Sequence, residues 1–149
     1  MKLSTKGRYG LKAMLDLAIH NSEGQISLKS IAERQDISEN YLEQLFAILR
    51  KSGLVKSTRG SQGGYVLAQS PEKISVGCIL RALEGSLAPV DCVMENDPQQ
   101  CSRSEECVTR FIWAKIRDSV NQVVDSISLE DLINEYNKTN KKEDFMYFI

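Results

Sequence analysis

The side chains in this chain best suited to chemistry are three cysteines, Cys92, Cys101 and Cys107. They belong to a polar loop read over residues 86–104 and to the start of the helix after it, with Pro89 and Pro98 between flanking hydrophilic residues. Thiolates in a solvent-accessible loop can hold a soft metal or an iron–sulfur cluster. Zinc suits the trio less, because structural zinc prefers close cysteine pairs and four protein ligands. A thiol switch without any metal is the third chemistry open to them. Cys78, among Gly77, Ile79 and Leu80, reads as a buried core thiol, and the sole histidine, His20, as a structural residue closing a helix. The chain has no phosphate-binding loop, catalytic histidine pair or nucleotide fingerprint, so it does not read as an enzyme.

Elements on both sides must hold such a loop. Downstream, the spacing predicts a long helix from about Glu105 to Ser126, with an apolar stripe at Val108, Phe111, Ile112, Ile116, Val120, Val123, Val124 and Ile127. A stripe of that length is expected to bury against a second copy. Upstream, Ser75 caps a helix through Ile79, Leu80 and Leu83 that Gly85 closes, and Pro71 marks a joint before it. Ser128-Leu129-Glu130-Asp131 is a start signal for a short last helix. Residues 137–144 are hydrophilic, and Phe145-Met146-Tyr147-Phe148-Ile149 is abruptly apolar.

The front of the chain is organised differently. Leu11, Met14, Leu15, Ala18 and Ile19 give one helix face over residues 8–20. Ser27 and Ser38 stand where N-caps belong, before Leu28-Ile31-Ala32 and before Tyr41-Leu42-Leu45-Phe46-Ile48-Leu49. Gln35-Asp36-Ile37 is a tight turn between them. Leu54–Arg59 and Tyr65-Val66-Leu67 read as two strands around Gly60-Ser61-Gln62-Gly63-Gly64. Two short helices with a tight turn, then a hairpin, describe a winged helix-turn-helix. The expected fold is mainly α: a winged helix-turn-helix DNA-binding domain with a two-stranded wing, plus a long dimerisation helix. The expected division is residues 1–70 for DNA binding, 71–104 for a connecting helix and cysteine loop, 105–136 for the dimerisation helix and a short helix, and 137–149 for a tail.

Charge supports a polyanion partner for the front half. The net charge of −1 divides into +4 over residues 1–70 and −5 over residues 71–149. Asn40, Tyr41, Glu43 and Gln44 occupy the first two turns of the third helix, the part of a recognition helix that meets base edges in the major groove. Asn or Gln can pair with adenine, and Glu can accept from cytosine N4. Arg59, followed by Gly60, suits a narrow minor groove. Lys6, with Lys2, Arg8, Lys29 and Lys56, can meet phosphates, and Tyr9 stands beside them on the first helix. Glu43 facing DNA can veto sequences that offer it no donor.

The stretch Met1–Gly10, the run Tyr41-Leu42-Glu43-Gln44-Leu45 and the wing Arg59-Gly60-Ser61-Gln62-Gly63-Gly64-Tyr65 closely resemble the Rrf-type winged-helix regulators, the IscR, NsrR and CymR group. The resemblance implies a homodimer whose long helices cross at the two-fold axis. It implies contacts to double-stranded DNA from Tyr41, Glu43, Gln44 and Arg59. In cluster-binding members three loop cysteines ligate an iron–sulfur cluster, so Cys92, Cys101 and Cys107 are its implied ligands, with a [2Fe–2S] cluster expected ahead of [4Fe–4S]. IscR-type members complete the site with a histidine three residues after the last cysteine; here that position is Arg110, and eight residues separate Cys92 from Cys101. Arginine stays protonated and ligates poorly. Asp91, Glu95, Glu105, Glu106 or an exogenous ligand are left for the fourth position; Cys78 could also serve, against its reading as a core thiol.

The implied role is a repressor whose cluster controls genes of iron–sulfur cluster assembly. The apolar ending, Leu83-Glu84-Gly85 and Ser128–Leu132 resemble CymR instead, and imply a repressor of cysteine metabolism with cysteine synthase as corepressor. A cluster-free thiol sensor stands beside both. Cluster-assembly proteins or the synthase are the implied protein partners. No run approaches the about 20 apolar residues of a membrane span, and the N-terminus lacks an apolar signal core, so a cytoplasmic location is expected.

Overall fold

The computed structural model describes residues 2–61, 63–96 and 101–147, the last five of these as backbone only. Among the described residues the chain forms six α-helices and one two-stranded antiparallel sheet: α1 (Thr5–Ile19), α2 (Leu28–Gln35), α3 (Glu39–Lys51), β1 (Val55–Thr58), β2 (Gly64–Leu67), α4 (Val76–Glu84), α5 (Thr109–Asp125) and α6 (Leu129–Tyr147). This is the mainly α winged helix-turn-helix that the sequence predicts.

Serine caps set the helix starts. Ser27 Oγ accepts from Ser30 N at 3.2 Å, Ser38 Oγ from Tyr41 N at 3.1 Å, and Ser75 Oγ from Cys78 N at 3.0 Å. Each such cap contributes about 1 kcal/mol. At α6, Ser128 Oγ accepts from Asp131 N at 3.1 Å while Asp131 Oδ2 accepts from Ser128 N at 2.9 Å, the reciprocal box the sequence signals. Asp36 ends α2 in the left-handed region, at φ 54°, which a short polar side chain tolerates.

The core is built where α1, α2 and α3 meet. Ala13, Met14 and Leu17 face Ile31 and the α3 row Leu42, Leu45, Phe46 and Leu49, all fully buried. Val55 and Leu67 seal the wing against it, with register Val55↔Leu67 through Thr58↔Gly64. A second pair of backbone bonds, Tyr65 N to Ile26 O at 2.8 Å and Ile26 N to Tyr65 O at 3.0 Å, ties the wing to the segment before α2. Ile74, Ile79, Leu83 and Leu129 extend the core toward the back half.

Among the described residues, one charged side chain lies inside this core. Asp16 is 2% exposed. Its carboxylate accepts from Arg34 Nη2 at 2.6 Å, Arg34 Nε at 3.0 and 3.2 Å, and Gln35 Nε2 at 2.9 Å. These bonds pin α2 against α1.

Four features differ from the sequence reading. The first helix starts at Thr5 rather than Arg8. Cys78 is exposed, not a core thiol: α4 buries Val76, Ile79, Leu80 and Leu83 on one face, and at 3.6 residues per turn Cys78 points away from that face. The long helix starts at Thr109, four residues later than expected, because Cys101–Glu106 close turns on themselves through Ser104 N to Cys101 O at 3.0 Å and Glu106 N to Arg103 O at 3.1 Å. The last helix runs through Tyr147; residues 137–144 are hydrophilic but contain no Gly or Pro to stop it. The end of the apolar run, Phe148-Ile149, lies outside the described residues.

α4 lies between the front and the back of the molecule. On one side Gly10 of α1 meets the Leu83 side chain, and on the other Gly77 meets the Asp125 carboxylate and Arg81 guanidinium; a Cβ at either glycine would overlap those atoms. Arg81 pairs with Asp125 and donates to Asn121 Oδ1 at 3.3 Å. Val76 N to Ile127 O at 2.8 Å and Leu129 N to Ile74 O at 2.9 Å clip the α5–α6 junction to the start of α4. No helix among the described residues is long and apolar enough to cross a membrane.

Candidate functional site

Helix α3 presents Asn40, Glu43 and Gln44 to solvent from its first two turns, because Leu42, Leu45 and Phe46 take the core side. Tyr41 is half-buried and turns toward α1: its hydroxyl donates to Thr5 Oγ1 at 3.3 Å, and its ring meets Tyr9 edge-on at 6.2 Å. Arg8 and Lys12 lie 5.9 and 5.8 Å from the Tyr9 ring centroid, and Lys6 is exposed one turn away. The structure therefore joins Lys6, Tyr9 and Tyr41 to the start of α3 in one basic, aromatic patch.

Arg59 is exposed at the wing tip and makes no ion pair among the described residues. Gly60 beside it sits at φ 117°, a conformation closed to most side chains. Arg50 Nη1 donates to Ser57 Oγ at 3.3 Å and braces the end of α3 against the wing. Sequence patterning did not single out Thr5, Arg50 or Asp16. Each acts through a partner remote in sequence, and periodicity carries no such signal.

The cysteine loop is anchored by α5. Cys92 is half-buried in a 3-10 turn, Asp91–Val93, whose Val93 is buried. Arg117 Nη1 donates to Val93 O at 3.0 Å, and Arg110 Nη2 reaches Cys92 O at 3.5 Å. Glu95 accepts from Ser86 Oγ and from Asn121 Nδ2, both at 2.8 Å. Burial opposes ionisation of Glu95, but the bonds from Asn121 and Ser86, with a backbone bond and the Arg117 charge, together outweigh it and hold its carboxyl below the usual range. With its oxygens so engaged, Glu95 is a poorer candidate for a fourth ligand than exposed Asp91, Glu105 or Glu106.

Cys101 and Cys107 are exposed. The Cys107 sulfur lies 3.1 Å from Thr109 Oγ1. That hydroxyl, the Arg110 backbone N–H and the Arg110 charge hold the Cys107 thiol below its ordinary pKa, toward thiolate. Among the described residues no three His, Cys, Asp or Glu side chains converge into a metal-holding set. The structure places Cys92 and Cys107 at the two ends of the α5-anchored loop and does not bring the trio together.

Comparison with known proteins follows this geometry. The Rrf2 family, described as an iron-dependent transcriptional regulator, matches residues 3–135. The transcriptional regulator CymR of Bacillus subtilis (strain 168) is 46% identical over 149 residues, all of both chains. Its solved structure, described as that of the global cysteine regulator, has a TM-score of 0.77 at 49% identity and covers 91% of this chain and 98% of that one. IscR of Pectobacterium carotovorum subsp. carotovorum (strain PC1) is 42% identical over 134 residues, 90% of this chain and 80% of that protein. The structure of T. potens IscR has a TM-score of 0.76 at 50% identity, covering 93% of this chain and 90% of that one.

Proposed function

The chain belongs to the Rrf2 family of transcriptional regulators, and on that premise we propose that it is a homodimeric repressor of a pseudo-palindromic operator, governed by its cysteine loop. Each subunit lays the first turns of α3 in a major groove, with Asn40, Glu43 and Gln44 toward base edges. Lys6, Tyr9 and Tyr41 meet phosphates, and Arg59 with Gly60 enters the flanking minor groove. Residues 1–70 read DNA, residues 71–104 sense, and residues 105–136 pair the subunits. The observation that carries the dimer is α5: it buries none of its own residues and leaves Phe111 61%, Ile112 47% and Val123 57% exposed, with Val108 just before it 84% exposed. A second copy covers that face.

The donor chemistry, three thiols of one loop with two exposed and one half-buried, suits three corners of an iron–sulfur cluster, provided the loop closes to bring them together. Cys92, Cys101 and Cys107 would hold it, as a [2Fe–2S] cluster whose fourth ligand is an exposed carboxylate or an exogenous group. Bound there, the cluster supplies an occupancy that iron supply and oxidants change. Around it, Arg110 and Arg117 hold the Cys92 turn to α5, so ordering the loop stiffens the start of that helix. Genes of cluster assembly are the proposed targets. Anaerobically purified protein is expected to be brown with visible absorption, and Cys101→Ala to bleach it. A colourless wild type with no bound iron would overturn the cluster.

A second reading rests on a specific observation. The match to CymR spans both chains from end to end, and Arg110 stands where an IscR-type ligand would. In that reading the protein represses cysteine metabolism with a cysteine synthase as corepressor. A gel-filtration shift on mixing with the synthase, in colourless protein, supports it.

Operator binding tests the wing. Arg59→Ala is expected to weaken binding and to flatten the salt dependence of log K by about 1, the contribution of one released counterion. Fluorescence anisotropy over a salt series measures both, and an unchanged slope removes Arg59 from the interface.

A further inference from the structure

The carboxylate of Glu84 has no part in the DNA contacts above, yet it ends on the face that makes them. Glu84 is the last residue of α4 and is half-buried. Its Oε1 accepts from the backbone N–H of Ser4 and of Gly7, both at 3.0 Å, and from the Ser4 hydroxyl. A helix N-terminus carries unsatisfied N–H donors and a partial positive charge. α1 has no acidic residue in its first turn and no side-chain cap from Ser4. The cap comes instead through space, from a residue 77 positions away from Gly7. Gly7 makes room for it: a Cβ there would fall on the Glu84 carboxylate.

What this cap holds is the patch that turns toward DNA. Thr5, the first residue of α1, accepts the Tyr41 hydroxyl, and Tyr9 stacks edge-on against the Tyr41 ring. Through them the start of α1 is fixed to the start of α3. Through Glu84 it is fixed to α4, whose next turn back, Arg81, is bonded to Asp125 and Asn121 of α5. Asn121 in turn donates to Glu95 of the cysteine loop.

We propose that Glu84 is a positioning residue for operator binding: capping α1 from α4, it sets Thr5, Lys6, Tyr9 and Tyr41 in register with α3 and with the frame that carries the loop. This rests on the DNA-reading face proposed above. The sign of the effect separates it from simple electrostatics. A carboxylate acting only through its charge repels phosphates, so its removal would tighten binding; a positioning carboxylate weakens binding when lost.

The probe is a duplex selected from a randomised library by the wild-type protein, read by fluorescence anisotropy at fixed salt. Glu84→Ala is expected to bind it about tenfold more weakly, the loss of one strong cap. Glu84→Gln keeps an acceptor oxygen at the same place and is expected to stay within about threefold of wild type. Gly7→Ala displaces the carboxylate and is expected to match Glu84→Ala. Hydrogen exchange at the Gly7 amide should quicken in Glu84→Ala and not in Glu84→Gln. Equal losses for Ala and Gln, or unchanged or tighter binding by Glu84→Ala, overturn the proposal. If Glu84→Ala fails to fold, Glu84→Gln against Gly7→Ala decides it by the same criterion. A wild type that selects no duplex removes the DNA-reading face itself, a failure distinct from that of Glu84.

Discussion

Replacing Phe111 and Ile112 together by aspartate is expected to turn the proposed dimer into monomers and to cut its operator affinity by about 10²–10⁴-fold. The magnitude follows from avidity: two linked reading heads make the second half-site an intramolecular event, and a monomer forfeits that gain without losing a single DNA contact of its own. These positions suit the purpose because they are 61% and 47% exposed in the single chain. Aspartate there leaves the monomer fold intact, while in a dimer it would place charges in a desolvated seam. Specific interfaces bury about 1,200–2,000 Å² in total, and an aromatic side chain supplies about 150–250 Å² of such area. Sedimentation velocity should show the loss of the dimer, with unchanged circular dichroism. A dimer that persists in the double variant would move the interface off α5.

The second large effect is on stability. Asp16→Ala is expected to lower unfolding free energy by about 3 kcal/mol, at the low end of the 3–5 kcal/mol range for breaking a buried pair. The low end applies because Arg34 is 36% exposed and can recover part of its hydration once unpaired. Against a total stability of about 5–15 kcal/mol, the loss is severe, and urea denaturation will read it as a lower midpoint. Asp16→Ala with Arg34→Met should recover much of the loss, since two apolar side chains leave no charge stranded. If Asp16→Ala unfolds at the wild-type midpoint, the carboxylate is not what pins α2 to α1.

The front half of the fold and the start of α4 were legible because their signals are local. Ser27, Ser38 and Ser75 each precede an apolar periodicity and each caps the helix that follows. The wing follows from two short β-rich runs around a glycine-rich turn. The exposed row on α3 was legible too, since Asn40, Glu43 and Gln44 fall between its core positions. Cys78 misled because its sequence neighbours are apolar, while helical geometry sets it off the buried face of α4. The start of α5 misled because Glu105 and Glu106 suit a first helical turn, yet Cys101 and Arg103 capture the donors there. Asp16 with Arg34, Tyr41 with Thr5 and Glu84 with Ser4 join residues between 18 and 80 positions apart. Such pairs exist only once helices have packed.

The glycines flanking α4 have a mechanical consequence. With Leu83 seated over Gly10 and Asp125 over Gly77, this short rod is keyed on both flanks, and swivelling against either neighbour would break close packing. In the dimer proposed above, each subunit would then act as one stiff lever, pivoted at the symmetry axis and tipped by Arg59. On that proposal, a slight tilt of the paired arms would sweep the tips through a longer arc and amplify a signal from the pivot at the proposed groove contact.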